Sequence, residues 1–384
     1  MKFIALVAAT LGLLACTSSP GSSTSSAART ASPATSGNPA NSQAADLRTH
    51  LDLLLGEQVL LTAKQSAAAV NHSDSYAGYT TLLTTNGSDL ADVMRAALGN
   101  TAADQFSQAW TVENGYLVDY SIGVVTHNQS KANGAMSGLV NGFAPQLAQL
   151  ITDLTQLPLD PVTQLLTQQV LEDKAFIDDQ FAQKPGSTFP DLHTAYLQST
   201  RLGDALAPRI AQKFPDKFPG NASVPAVDRR VTLNMLLQEH AYLATMAGDA
   251  TVRVAVADQS AATTALAANA DSLGTTFSDL FGTATGTQFD VLWAARDGAL
   301  AGYASKGDAA STKILRETFV AQFSRLAGVS ATPVLDQVDA TIKVLDDQRS
   351  TTSATSASLP ADDRAAAGGM QAIADAVVES APQH

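Results

Sequence analysis

Two glutamates occupy matching positions on helix faces that are otherwise apolar. Helical spacing places Glu57 on the same face as Leu54 and Leu61, and Glu239 lies in a second segment with the same pattern. A carboxylate on a leucine face must be paired, bound to a metal, neutralised by a proton or placed at the edge of the core. The sequence therefore predicts either a buried polar layer or a metal or small-molecule site between helices.

Further polar side chains belong to the same predicted layer. The next long helix of each segment carries a polar pair one turn beyond its tryptophan, and a third helix of the first segment carries Gln169 and Asp173 on its apolar face. The candidate ligand or polar-layer residues are Glu57, Glu113, Asn114, Gln169, Glu239, His240, Arg296 and Asp297.

The charges of this set leave two interpretations open. Glu239 and Arg296 could form an ion pair, and such a structural layer needs no ligand. Glu57 and Glu113 would instead be like charges, which would require protonation, a bridging cation or a different rotation of their helices. The Glu-x-x-His pairs that di-metal bundles place on two helices do not occur in the sequence.

The segments that carry these residues recur along the chain. The stretch DQFSQAWTVENGYLVDY (104–120) matches TQFDVLWAARDGALAGY (287–303), and RTHLDLLLGEQVLLT (48–62) matches RVTLNMLLQEHAYLA (230–244). The register is nearly constant over this distance, which indicates an internal duplication. The polar pair changes from Glu-Asn to Arg-Asp between the two copies, which argues against one reaction preserved twice.

Both copies are predicted to be α-helical, because their leucines and aromatic residues recur at helical spacing and no alternating strand pattern is sustained. We predict helices over 46–70, 88–98, 103–127, 136–154, 162–182 and 189–213, and then over 229–247, 252–268, 287–304, 309–327, 333–348 and 360–380. Segment 350–362 is predicted to be a loop. The predicted fold class is all-α, with two tandem, duplicated four-helix-type bundles (46–220 and 227–384) after a signal peptide and a disordered linker.

The N-terminus has the features of an export signal. MKFIALVAATLGLLAC carries one lysine before an apolar run that is too short for a permanent membrane span. Its end, Leu13-Leu14-Ala15-Cys16, resembles the lipobox of bacterial lipoproteins. The resemblance implies that the signal peptide, 1–15, is removed and that the sulfur of Cys16 takes a diacylglycerol. Residues 16–45 are rich in Ser, Thr, Ala and Pro and are predicted to be a disordered tether.

Composition and motifs exclude several functions. The formal net charge is −13, which argues against nucleic acid as a partner. Cys16 is the only cysteine, so neither an intramolecular disulfide nor a catalytic thiol is expected. The six histidines are scattered, and Gly-x-Ser-x-Gly and phosphate-loop motifs are missing from the sequence. We therefore expect no catalytic residues.

A family resemblance follows from the Leu-Leu-x-Glu-His pattern that ends at Glu239-His240. Together with a short helix and a Phe-x-x-x-Trp helix carrying a second polar pair, it resembles an uncharacterised family of exported tandem helical-bundle proteins of bacilli and related bacteria. Some members are labelled after the N-terminal domain of copper amine oxidases, to which they are fused. The resemblance implies metal ligands at Glu239 and His240, with Asp297 as a candidate at a second matching place, where Arg296-Asp297 departs from the Glu-His pair of the family. The first copy departs from the pattern, with Glu57-Gln58 at the matching place.

These observations predict a non-catalytic, lipid-anchored binding or scaffold protein of the cell envelope, facing outside the cytoplasm. Its expected partners are the membrane, through the N-terminal lipid, and an envelope protein; no cofactor is expected. The alternative is a metal-binding or metal-dependent helical-bundle protein that holds a divalent transition metal between helices. A cleft between the two copies would support the first hypothesis, and a pair between Glu239 and Arg296 would argue against the second.

Overall fold

Every regular element that the computed structural model describes is helical. The described residues are 38–350 and 352–382, without the side chains of 353 and 354. The predicted signal peptide, 1–15, and Cys16 lie outside them. The all-α class is confirmed. Within this described part of the chain, no helix is long and apolar enough to cross a membrane.

The first long helix, α1, begins at Gln43, slightly before the predicted start. The hydroxyl of Ser42 caps it by accepting a hydrogen bond from the Ala45 amide at 3.2 Å. Ala44 and Ala45 are fully buried. The packed chain therefore begins before the predicted end of the tether at residue 45.

Residues 43–213 form the first repeat. Its helices are α1 (Gln43–Val70), α2 (Tyr76–Leu98), α3 (Asn100–Val125), α4 (Gln129–Gly138), α5 (Ala144–Thr155), α6 (Leu159–Phe181) and α7 (Pro185–Lys213). A π-helical turn, Leu139–Phe143, joins α4 to α5 without a break.

Residues 225–380 form the second repeat, in which the same order of elements returns. Its helices are α8 (Pro225–Val252), α9 (Val256–Phe281), α10 (Thr283–Lys306), α11 (Ala309–Lys313), α12 (Val320–Ala327), α13 (Ala331–Arg349) and α14 (Ser353–Ser380). A second π-helical turn, Ile314–Phe319, joins α11 to α12. The matching order of elements supports the duplication inferred from the sequence.

Each π-helical turn packs against the tryptophan of its own repeat. The ring of Phe143 lies edge-on to Trp110, with 6.3 Å between centroids, and the ring of Phe319 lies edge-on to Trp293 at 5.7 Å. Both tryptophans are buried. The repeated Trp segments therefore serve packing, which is the interpretation that their helical spacing favoured.

Helices α1 and α8 lie side by side at the centre and run in the same direction. Hydrogen bonds join them in the same order along both helices: Arg48 to Asp228, Leu53 to Gln238 and Lys64 to Thr245. Matching positions of the two repeats therefore face each other across an approximate two-fold axis parallel to these helices.

Ion pairs at the start of the two central helices are reciprocal. Arg48 binds Asp228 at 2.6 Å, and its counterpart Arg230 binds Asp46 at 2.5 Å. The last helix of each repeat also reaches the other repeat, because α7 packs against α9 and α14 packs against α2. The described residues consequently form one compact unit rather than two separate bundles.

Helix α2 is much longer than the helix predicted over 88–98. Asn86 precedes the predicted start of that helix, yet it lies in the middle of α2 and is fully buried. Its side-chain amide donates hydrogen bonds to the carbonyl of Leu54 and to Glu57, both at 2.9 Å. The prediction was wrong because the side chain bonds the neighbouring helix and not its own backbone.

The loop predicted over 350–362 is mostly the start of α14. Thr352 caps this helix by accepting a hydrogen bond from the Thr355 amide. Pro360 lies inside the helix and packs on Gly78 of α2, where a β-carbon would come within 2.6 Å of the proline ring. The Ser/Thr-rich composition predicted a loop, whereas a contact with the first repeat holds the segment as helix.

Candidate functional site

The two predicted glutamates lie on the central helices but do not share one cluster. Glu57 of α1 is buried and receives two hydrogen bonds from Arg364 of α14, at 3.0 and 2.7 Å. Asn86 donates a third, at 2.9 Å. Arg364 also binds Asp89, and these two carboxylates raise the pKa of its guanidinium. The charge of Glu57 is therefore neutralised by the other repeat.

Glu113 and Asn114 of α3 contact α1 through Gln58 and form no hydrogen bond with Glu57 or Arg364. Gln58 connects them to the central helix: its side-chain amide donates to Glu113 at 2.7 Å, and its carbonyl oxygen accepts from the indole nitrogen of Trp110 at 2.5 Å. Asn114 donates to the carbonyl of Leu83 at 3.2 Å. The sequence left three possibilities open for Glu57 and Glu113. In the structure, the rotation of their helices keeps the two carboxylates apart.

Burial dominates the electrostatics of Glu113. Its side chain is 4% exposed, and desolvation raises the pKa of its carboxyl to about 7. Asp173 of α6 is equally buried. Desolvation, followed by the charge of Glu113, raises the pKa of Asp173 well above its usual range. These two carboxyls are therefore coupled.

Gln169 completes this cluster on α6. Its side-chain nitrogen donates to Asp173 at 2.8 Å, while its side-chain oxygen is buried without a hydrogen-bond partner among the described residues. Gln169, Glu113 and Asp173 line a cavity of about 30 Å³, together with Gln198 and Ser199 of α7. We call this cavity and its lining the first-repeat cavity.

In the second repeat, Glu239 of α8 pairs with the first repeat instead of with Arg296. His193 of α7 contacts it at 2.7 Å, and Asn269 of α9 donates to it at 2.9 Å. The hydrogen bond to Glu239 is the main cause that raises the pKa of His193. The predicted pair between Glu239 and Arg296 was wrong, because Arg296 contacts His240 and Asp297 instead.

His240 is fully buried between α9 and α10. Asn269 uses its amide nitrogen on Glu239, so its oxygen must accept a hydrogen bond from Nδ1 of His240, 3.0 Å away. Nε2 of His240 lies within hydrogen-bond distance of three groups: the indole nitrogen of Trp293 at 3.0 Å, the guanidinium of Arg296 at 3.1 Å and the carboxylate of Asp297 at 3.1 Å. Both ring nitrogens of His240 therefore have hydrogen-bond partners within the protein.

Arg296 occupies the core position that corresponds to Glu113. It is 1% exposed, pairs with Asp297 at 3.0 Å, and lies over the rings of Trp293 and Phe319. Burial lowers its pKa, and Asp297 opposes that effect. Because this cation lies beside His240 and Asp297, a metal ion there would meet electrostatic repulsion. Among the described residues, no cluster of three or more His, Cys, Asp or Glu side chains is arranged to hold a metal.

A larger cavity lies between the two repeats, where α1 and α8 end. We call it the inter-repeat cavity; its volume is about 360 Å³. Phe189, Leu192 and Met246 contribute to its apolar wall, and Lys184 and Arg253 bring charge to its lining. Cavities of about 300–1,000 Å³ with mixed lining are typical of small-molecule sites.

A buried ion pair forms the inner end of the inter-repeat cavity. Lys64 of α1 lies 2.8 Å from Asp363 of α14 and donates to Thr245 of α8 at 2.9 Å. Tyr79 of α2 donates to the same carboxylate at 2.9 Å. Four helices from both repeats are therefore joined at this point, and a ligand in the cavity would contact both repeats.

Sequence analysis missed Arg364 and His193 as the partners of the two glutamates. His193 lies within α7 and Arg364 within α14, inside the helices predicted over 189–213 and 360–380, but neither was among the candidate residues. Comparison of the chain with models of known families, with curated proteins and with solved structures finds no match.

Proposed function

We propose that the protein is a non-catalytic, lipid-anchored binding protein of the cell envelope that takes a small amphiphilic ligand into the inter-repeat cavity. The observation that carries this proposal is the cavity itself, whose lining combines apolar side chains with charged side chains of both signs. The volume of about 360 Å³ suits a small molecule and not a folded domain. A cleft between the two copies is the feature that the sequence analysis expected of a binding protein.

The polar layers support a binding role over a catalytic one. Glu57 is held by Arg364, and Glu239 is held by His193 and Asn269. Groups used in this way stabilise the interface between repeats, and they are not free to transfer protons to a substrate. Glu57 and Glu239 therefore have a structural explanation.

The location outside the cytoplasm rests on the N-terminal sequence. The lipobox-like end of the apolar run makes Cys16 the proposed site of lipid attachment, and residues 17–37 would serve as a tether to the packed domain. We expect wild-type protein expressed in a bacterial host to incorporate labelled palmitate and to fractionate with membranes. A Cys16→Ser variant that still incorporates the label would contradict the anchor.

The cavity is tested with a solvent-sensitive anionic naphthalene dye and with a thermal-shift screen of small amphiphiles on protein starting at residue 38. Ala67→Trp places an indole in the cavity lining, and Ala295→Trp places one on the exposed face of α10 as a control. We expect Ala67→Trp to lose dye binding and ligand stabilisation and Ala295→Trp to keep both. Equal responses of the two variants would show that ligands bind elsewhere.

The alternative function, a divalent transition metal on Glu239, His240 and Asp297, stays a prediction. Nε2 of His240 is already surrounded by Trp293, Arg296 and Asp297, at 3.0 to 3.1 Å. A metal would have to displace a buried guanidinium, so the geometry favours the binding role. Metal analysis of protein purified without chelator, beside Glu239→Gln, tests the alternative.

A further inference from the structure

We propose that the first-repeat cavity binds one hard divalent cation of the calcium class. The cavity differs from the inter-repeat cavity in place, size and chemistry. Its carboxylate, amide and hydroxyl groups come from four helices: Gln58 of α1, Glu113 of α3, Gln169 and Asp173 of α6, and Gln198 and Ser199 of α7. Oxygen donors without imidazole or thiolate are the ligand set that hard cations prefer.

One of these groups, the side-chain amide of Gln169, points to a missing partner. The side-chain oxygen of Gln169 is shielded from solvent and accepts no hydrogen bond from any described residue. Glu113 is 4% exposed, and among the described residues only Gln58 donates a hydrogen bond to it, to one of its two carboxylate oxygens. A buried acceptor without a donor is unfavourable, so the oxygen of Gln169 calls for a bound species.

The size of the cavity fits one ion. About 30 Å³ is enough for one or two water-sized particles, since a single water needs about 10–15 Å³ measured in this way. A larger organic ligand does not fit. Ca²⁺ accepts irregular sets of carboxylate and amide oxygens, whereas Mg²⁺ demands near-octahedral geometry and retains several waters.

Charge is the second reason for a cation. Neither Glu113 nor Asp173 forms an ion pair with a described Lys, Arg or His, although both are buried. Two carboxylates in a dry core require compensation of about two positive charges when they are ionised. A divalent cation supplies that charge at one point.

The second repeat shows what the layer requires. Gln337 corresponds to Gln169, because each donates its side-chain amide to the residue four positions later: Thr341 at 2.9 Å and Asp173 at 2.8 Å. There Arg296 stands in place of Glu113, and its guanidinium comes within 3.5 Å of the Gln337 oxygen. At this place the second repeat has the positive charge of the Arg296 side chain, whereas the first repeat has a cavity and two carboxyls.

The test uses terbium luminescence and thermal unfolding on protein starting at residue 38. Tb³⁺ replaces Ca²⁺ at oxygen sites, and Trp110 lines the cavity, so a bound Tb³⁺ ion should emit when tryptophan is excited. We expect emission in the wild type and in Trp293→Phe, its loss in Trp110→Phe, and displacement by Ca²⁺. Glu113→Gln and Asp173→Asn should each weaken binding by more than about a hundredfold, since even outer-sphere partners are worth about 10–100-fold.

Unfolding measurements provide the second readout. The midpoint of the wild type should rise with the logarithm of the Ca²⁺ concentration, and that of Glu113→Gln should not. Glu113→Arg copies the arrangement of the second repeat and should also be insensitive to Ca²⁺. Emission that persists in Trp110→Phe would overturn the proposal, and so would an unfolding midpoint of the wild type that does not change with the Ca²⁺ concentration. The cavity would then hold water beside two protonated carboxyls.

Discussion

Asp52 of α1 and Asn234 of α8 are matching residues with different surroundings. Both oxygens of Asp52 are buried without a hydrogen-bond partner among the described residues, and the nearest charge is Nε of Arg48, 3.8 Å away. Asn234 instead donates to Asp375 at 3.2 Å. Burial, and next the charge of Asp204, raises the pKa of Asp52 well above its usual range.

We predict that Asp52→Asn stabilises the protein at pH 7 by about 1–3 kcal/mol, because it removes an unpartnered buried carboxyl. Because the pKa of Asp52 is raised in the folded state, the free energy of unfolding falls as the pH rises above the pKa that Asp52 has in the unfolded chain. The gain should therefore disappear near pH 4. Urea unfolding at both pH values measures this, and the reciprocal change Asn234→Asp, beside Asp375, should be destabilising. A gain that is the same at both pH values would contradict the assignment.

The pair of His193 and Glu239 makes a second pH-dependent contribution. Glu239 raises the pKa of His193, so the stability from this pair is complete below the usual histidine pKa of about 6.5 and is lost as the pH rises through the folded value. We predict that His193→Gln reduces the difference in unfolding midpoint between about pH 6 and pH 8. Arg364→Gln removes the matching pair with Glu57 and should lower the midpoint equally at both pH values.

At the residue scale, the sequence predicted which polar side chains face the core but not their partners. Helical spacing alone places Glu57 and Glu239 on leucine faces, and both are buried. Their partners, Arg364 and His193, lie 307 and 46 positions away along the chain. Such pairs depend on how helices of different repeats pack, and a local sequence pattern does not predict that packing.

At the element scale, the turn between α8 and α9 contains a strained residue. Val254 has a φ of 57°, in the left-handed region that β-branched side chains avoid, and it is 78% exposed. Its counterpart in the first repeat, His72, has a φ of 51°. The turn geometry is thus shared, whereas the valine is unfavourable in it.

We predict that Val254→Asn raises the free energy of unfolding by about 1 kcal/mol, because asparagine tolerates the left-handed conformation. Val256→Asn is the matched control: it also replaces an exposed valine, but at the first residue of α9. Chemical denaturation of both variants measures the effect. If the control gained as much as Val254→Asn, reduced surface hydrophobicity would be the cause, not strain.

Helix boundaries were the least predictable elements. The long helix α2 and the start of α14 were missed because their Asn, Ser, Thr and Gly residues are typical of caps and loops. Tertiary contacts, such as the packing of Pro360 on Gly78, outweigh these local preferences. The π-helical turns were also missed, because the extra residue that makes such a turn is not recognisable from the sequence pattern.

At the scale of the whole molecule, the repeats depend on each other. Without the second repeat, Glu57 would lose Arg364 and Arg48 would lose Asp228. A buried charge that loses its partner costs about 3–5 kcal/mol, and the apolar contacts between α1 and α8 would be lost as well.

We predict that residues 38–220 and 225–382, produced separately, are each largely unfolded and regain helical structure when mixed. Circular dichroism and size-exclusion chromatography of the separate and mixed halves measure this. Intact protein serves as the control and should unfold in one transition. Either half unfolding cooperatively at the midpoint of the intact protein would contradict the mutual dependence.

The parallel arrangement of α1 and α8 has a consequence for ancestry. Reciprocal contacts across a two-fold axis are the signature of an isologous homodimer, so a chain of one repeat could form the same interface with an identical copy. In such a dimer every substitution appears twice. Once the copies are fused, Glu113 and Arg296 can differ at equivalent positions, and each half can specialise while the symmetric interface is retained.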